Sequence, residues 1–197
     1  MVSHQTWVVL RSSSVVAKPT PSRVASSNDP SKSIVSSTGK KLSTDAAIDY
    51  VEYMTETWLI LPYENLYGKL QDKESNRKYY FIDNGLLHLF LIDANTSLLE
   101  NIVAVTLRRK YGAGSYFWNS KNTEVDFVVP EEGLAIQVSY SMADADTFKR
   151  ETDALIKLGS VQSITKMVVV TMEEESCVEK DGCHIELVPL WKWLLSS

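Results

Sequence analysis

Three stretches decide how this chain is read: Leu98-Leu-Glu-Asn-Ile-Val103, Glu124-Val-Asp-Phe-Val-Val129 and Ile136-Gln-Val-Ser139. The first opens a run in which Leu98, Leu99, Ile102, Val103, Val105, Thr106 and Leu107 recur at helical spacing. The spacing predicts a helix capped by Ser97 and ended by Gly112 and Gly114. The basic Arg108-Arg-Lys110 run suits the negative end of that helix's dipole. The other two stretches read as strands, Glu124 to Val129 and Leu134 to Tyr140, joined by a tight turn at Pro130 to Gly133. Alternation places Glu124 and Asp126 on one face, opposite Val125, Phe127 and Val129, and groups Gln137 with Ser139. With Glu100 arriving from the helix, a polar row forms at the edge of a small sheet.

Working outward, Tyr116 to Trp118 reads as a strand before the Asn119 to Asn122 turn. Asp146 to Leu158 is an amphipathic helix through Phe148, Ala154, Leu155 and Leu158. Lys166 to Thr171 is the continuous apolar strand of a parallel sheet, so strand, helix and strand form a right-handed crossover. His184 to Val188 and a Trp-rich helix from Pro189 to Leu195 close the chain. Helix, three-strand meander, helix and strand define an α/β mixed sheet flanked by helices.

The first half reads differently. Residues 1–42 show no sustained periodicity, with a short helix expected near Pro21 to Ser27. Ser36-Ser-Thr-Gly-Lys-Lys41 is no phosphate loop, because it lacks the paired glycines and the Ser or Thr after the lysine. Ser43 or Thr44 caps a helix through Ala47, Ile48, Val51, Met54, Thr55 and Trp58. Strands at Leu59 to Leu61 and Lys78 to Ile82 follow, separated by Pro62 and a polar turn, and a helical segment starts at Leu86. Small helix, amphipathic helix and strand pair follow a winged-helix pattern over 43–83, with the α/β unit over 84–197. The outer face of the amphipathic helix carries Asp45, Asp49, Glu52 and Glu56, a poor surface against phosphates. Any DNA contact falls to Lys40, Lys41, Lys69, Lys73, Arg77 and Lys78.

Glu100, Glu124 and Asp126 offer hard oxygen ligands that suit Mg²⁺, the one cofactor this chain suggests. Hydrolysis would draw on Glu100, Asp126 and Gln137, with a further base or cation to orient water. The order and spacing resemble the PD-(D/E)XK nuclease-like fold. One branch is closer: Tyr79-Tyr-Phe-Ile-Asp-Asn-Gly-Leu86 and the three opening stretches resemble the C-terminal half of a prokaryotic AAA-type ATPase family. In that family a P-loop ATPase domain precedes a winged helix and a nuclease-like domain of unknown function. The resemblance spans roughly Thr44 to Leu195 and implies no ATP binding here, since the P-loop domain is missing. It also exposes a departure. The nuclease signature ends in an acid or Gln, one residue, then Lys; here Gln137 is followed by Ser139, which cannot supply the positive charge. On that resemblance, Lys121 or Lys149 would have to take the role.

Charge agrees with a limited role for nucleic acid. Met1 to Tyr80 holds 10 Lys and Arg against 8 Asp and Glu, or +2; Phe81 to Ser197 holds 10 against 17, or −7. Cys177, Cys183 and His184 supply at most three zinc ligands, so the cysteines read as free thiols in a reducing cytoplasm, facing each other across a hairpin. No apolar run approaches a membrane span. The expectation is a cytoplasmic, non-catalytic module that binds DNA or a protein, including an ATPase subunit encoded separately. The alternative is a divergent Mg²⁺-dependent nuclease.

Overall fold

The computed structural model describes residues 44–67, 77–89, 95–120 and 123–197. The expected helix near Pro21, together with Lys40, Lys41, Lys69, Lys73 and Lys121, lies outside the described residues.

Helix α1, Thr44–Glu56, forms where its periodicity places it. Its expected inner face is only partly covered: Val51, Met54 and Thr55 are half-buried, whereas Ile48 and Trp58 are exposed. Trp58 leaves that face because it takes φ 60° just past the helix, a left-handed conformation that turns the chain outward. Strands β1, Ile60–Tyr63, and β2, Lys78–Phe81, pair antiparallel as a separate two-stranded sheet. β1 runs through Pro62, which a two-stranded ribbon tolerates because outward N–H groups have no ladder partner to lose.

Helix α2, Asn84–His88, starts two residues before Leu86, because the Asp83 carboxylate caps it by accepting from the Gly85 and Leu86 N–H groups. Helix α3, Asn95–Tyr111, also begins early, so Ser97 lies inside the first turn rather than at the cap. Asn95, Thr96 and Ser97 are all cap-competent residues, and the outermost of them marks the start.

The larger sheet holds β3 (Tyr116–Ser120), β4 (Thr123–Val129), β5 (Leu134–Val138), β6 (Lys166–Thr171), β7 (Ser176–Lys180) and β8 (Cys183–Pro189), in the order β3-β4-β5-β6-β8-β7. The meander β3-β4-β5 is antiparallel, and β5, β6 and β8 run parallel. Helix α4, Ala145–Gly159, connects β5 to β6, and α5, Leu190–Ser196, follows β8. The sequence reading missed β7, a short polar strand at the sheet edge. The Asp181-Gly182 pair, with φ 52° and 76°, makes a two-residue turn suited to a right-twisted hairpin. Cys177 and Cys183 therefore do not face each other: Cys177 pairs with Glu186, and Cys183 with Lys180.

Two hydrophobic clusters cover the two faces of this sheet. One joins Phe127, Val129, Ile136, Val138, Val168 and Val170 to Leu99, Val103 and Leu107 of α3 and Trp193 of α5. The other joins Val125, Val128, Ala135 and Val169 to Ala154, Leu155 and Leu158 of α4. The small sheet is not set apart, since Tyr63 and Tyr80 sit in the first cluster. Their rings meet edge to face at 5.1 Å, Tyr63 meets Phe127 at 5.5 Å, and the Tyr63 hydroxyl donates to the Ala104 carbonyl at 2.7 Å. Such ring pairs add about 0.5–1.5 kcal/mol each beyond the area they bury. The β1–β2 ribbon is thereby fixed over the end of β4 where the acidic residues lie. Among the described residues, no helix is long and apolar enough to cross a membrane.

Candidate functional site, an acidic cluster closed by a buried lysine

A bulge in β4 creates the site. Tyr116 pairs with Val128 but Trp118 with Val125, so Asp126 and Phe127 together stand opposite Phe117. The extra residue breaks the expected alternation. Val125 packs with the α4-side cluster, while Phe127 and Val129 pack with the α3-side cluster. The main-chain ladder between β4 and β5 ends at Phe127 and Ile136. Beyond it, side chains take over. The Asp126 N–H donates to Gln137 Oε1 at 2.8 Å, and the Val138 N–H donates to Asp126 Oδ2 at 3.0 Å.

Gln137 is consumed by this arrangement. Its Nε2 donates to the Glu124 carbonyl at 3.0 Å and to Glu151 Oε2 at 2.7 Å, so both ends of the amide are committed. Glu151 of α4 is held in turn by Arg150 at 2.9 and 2.5 Å. Ser139 turns away: its hydroxyl donates to the Ser141 carbonyl, and its N–H to the Val170 carbonyl.

The centre of the cluster is Lys78. The sequence reading placed it on a DNA-facing basic surface, but its side chain is only 2% exposed. It enters from β2 and stands 2.6 Å from Glu124 Oε1 and 3.3 Å from both Glu100 Oε1 and Asp126 Oδ1. Tyr80, two residues on and so on the same strand face, donates its hydroxyl to Glu100 Oε1 at 2.6 Å. Asn119 Nδ2 donates to Glu124 Oε2 at 2.8 Å. The structure thus brings Glu100, Glu124, Asp126 and Gln137 together as expected, and adds Lys78, Tyr80, Asn119 and Glu151. Arg77 pairs at the surface with Glu64 at 3.4 Å, and Lys149 is exposed on α4; neither enters the cluster.

Electrostatics follow from burial and charge. Burial pulls the Lys78 ammonium down, but the charges of Glu100, Asp126 and Glu124 outweigh it and hold the group well above the ordinary lysine range. Burial, with the negative charge of Glu100, pushes Asp126 up to about 8 against the opposing pull of Lys78. Burial also raises Glu151, against the lowering pull of Arg150, and raises Tyr80 well above the usual phenol range.

A divalent ion does not fit this arrangement. Glu100 Oε1 serves Tyr80 and Lys78, both Glu124 oxygens are bonded, Asp126 divides between Lys78 and the Val138 N–H, and the Gln137 oxygen is taken. Among the described residues, no group of three or more His, Cys, Asp or Glu side chains stands arranged to hold a metal ion.

The molecule is thus a mixed α/β protein whose polar centre is a buried ion cluster spanning a small ribbon, a helix and a bulged strand. The chain belongs to the family described as Domain of unknown function (DUF4143), whose model matches residues 95–193. It is also 30% identical over 168 residues to an uncharacterized protein of Methanocaldococcus jannaschii, a match taking in 79% of this chain and 37% of that protein. The chain therefore spans little more than a third of that relative's length. No solved structure matches it.

Proposed function

We propose that this chain is a non-catalytic protein-binding module, related to the C-terminal portion of AAA-type ATPases and built on a PD-(D/E)XK nuclease-like fold whose acidic site is filled by its own lysine. The observation that carries this reading is the Lys78 ammonium, held by Glu100, Glu124 and Asp126 and shut off from solvent. A cation fixed there neutralises the acids that would otherwise gather Mg²⁺, and Gln137 is spent on closing the β4–β5 gap. The match to one part of a longer archaeal protein supports the view that such a unit works alongside other domains. A protein partner is favoured over DNA because the exposed side of α1 carries Asp49, Glu52 and Glu56 beside Tyr50 and Tyr53, a surface that repels phosphates.

The test is incubation of the purified chain with linear and circular DNA in Mg²⁺ or Mn²⁺, alongside gel-shift assays at low salt. The expected outcome is no cleavage and no shift. Metal-dependent cleavage that disappears in Asp126→Asn would replace this reading with the nuclease alternative. That alternative rests on one observation of its own: Lys78 brings to the acids the positive charge that Ser139 lacks.

A further inference from the structure

The helix dipole accounts for only part of the Arg108-Arg-Lys110 run at the end of α3. Arg108 already meets that negative end. It donates to the Gly112 carbonyl at 3.1 Å and to the Pro62 carbonyl, while its guanidinium covers the Tyr63 ring. Lys110 is placed differently. Its ammonium stands 5.3 Å from the centre of the Tyr111 ring, and both residues line a cavity between α3, α5 and the first residues of β5 and β6.

A second lysine reaches the same cavity. The register sets Lys166 beside Leu134 at the start of the parallel pair, two residues before Val168 and on the same strand face. Leu107, Leu134, Val168 and Trp193 supply the apolar wall, all of them part of or packed against the cluster on the α3 side. At the edge, the Thr106, Ser196 and Ser197 hydroxyls donate to main-chain carbonyls. Among the described residues, neither Lys110 nor Lys166 is paired with a carboxylate or hydrogen-bonded to any acceptor. Two like charges at one cavity repel each other, and an anion between them relieves that cost.

The apolar wall adds a preference for an anion with a hydrocarbon body. Size sets the limit. The cavity holds about 80 Å³, against about 150 Å³ for one that takes benzene. An aromatic ring or a nucleotide is too large, whereas a chain of a few carbons fits.

We propose that this cavity binds a short-chain aliphatic carboxylate, with the acid group at Lys110 and Lys166 and the hydrocarbon end against Val168 and Trp193. Binding is non-covalent. Lys110 and Glu100 stand on one helix about 15 Å apart at 1.5 Å per residue, so the site is separate from the acidic cluster and independent of the reading given for it.

The test is titration of the full chain with butyrate at low salt, followed by the NMR signal of the Trp193 indole N–H, assigned by its loss in Trp193→Phe. Butyrate should shift that signal to saturation. Butanol has the same body without the charge, and inorganic phosphate has charge without the body; both should bind more weakly. Lys110→Met and Lys166→Met should each weaken butyrate about tenfold. Lys149→Met, exposed on α4, should change nothing. Circular dichroism on each variant checks that the fold is kept. An unmoved indole signal, equal binding of butanol or phosphate, or full affinity in either folded lysine variant would overturn the assignment.

Discussion

Replacing Lys78 by Met tests the reading of the acidic cluster most directly. Methionine keeps the length and apolar body of the lysine stem and removes only the charge and its hydrogen bonds. What remains is Glu124, whose oxygen stood 2.6 Å from the ammonium, with Glu100 and Asp126 at 3.3 Å, their side chains only 13% and 17% exposed. Removing one partner of a buried ion pair costs about 3–5 kcal/mol, because the surviving charge is stranded. That is a large share of the roughly 5–15 kcal/mol that holds a domain folded. In urea, with a slope of about 1–3 kcal/mol/M, the midpoint should fall by more than roughly 1 M. Adding Glu124→Gln to Lys78→Met should restore part of the loss by removing the charge that stood nearest the ammonium. If Lys78→Met lies within about 0.5 kcal/mol of the unaltered protein, the range of ordinary surface substitutions, the lysine is not the counter-ion argued for.

Three further outcomes follow from the same geometry. Asp126 holds its proton up to about 8 in the folded chain, against about 3.9 when unfolded, so its contribution is complete below about pH 4 and is lost as pH rises through about 8. Asp126→Asn cannot ionise and should gain in stability relative to the unaltered protein between about pH 5 and about pH 9, measured as urea midpoints; a gap independent of pH would refute the protonated carboxyl. Gln137→Leu leaves the Asp126 N–H, the Glu124 carbonyl and Glu151 without their partner, and should cost about 2–4 kcal/mol at about 1–3 per stranded group with partial relief by water. Gly133→Ala forces a side chain onto φ 56° and sets its Cβ 2.7 Å from Thr165 Oγ1; calorimetry should show the melting temperature lowered by several degrees, at about 1–2 kcal/mol for the backbone alone.

The local elements were legible because each carries its own period. Lys166 to Thr171 is an unbroken apolar run and α3 runs to the glycines expected to stop it, whereas the caps Asp83 and Asp144 start their helices one or two residues before the apolar period shows. The polar row of Glu100, Glu124, Asp126 and Gln137 was also legible, since the order of elements brings it together. The bulge at Asp126 was not, because nothing in Glu-Val-Asp-Phe-Val-Val marks which residue is extra. Its existence depends on Tyr116 and Trp118 of the partner strand taking different registers. A lone Asp-Gly pair marked the β7–β8 hairpin, but the strand before it is too short and polar to announce itself.

Lys78 is the instructive failure. As one of the six residues named for DNA contact among the ten basic residues of the first half, it was grouped by sign with the surface cations, although its own surroundings argued otherwise. It opens a strand whose next two residues are tyrosines, and it shares a face with Tyr80, which is buried. A lysine on the buried face of an aromatic strand must either remain at the rim or meet an anion, and only the tertiary fold supplies one. The same logic runs in reverse from the acids. Glu100, Glu124 and Asp126 are packed this closely around a shared cation, and Ser139, just past β5, carries no charge to supply one. Once that position is neutral, the charge has to enter from another element, and β2 is the strand laid across the opening. The neutral Ser139 and the buried Lys78 are therefore two sides of a single electrostatic constraint.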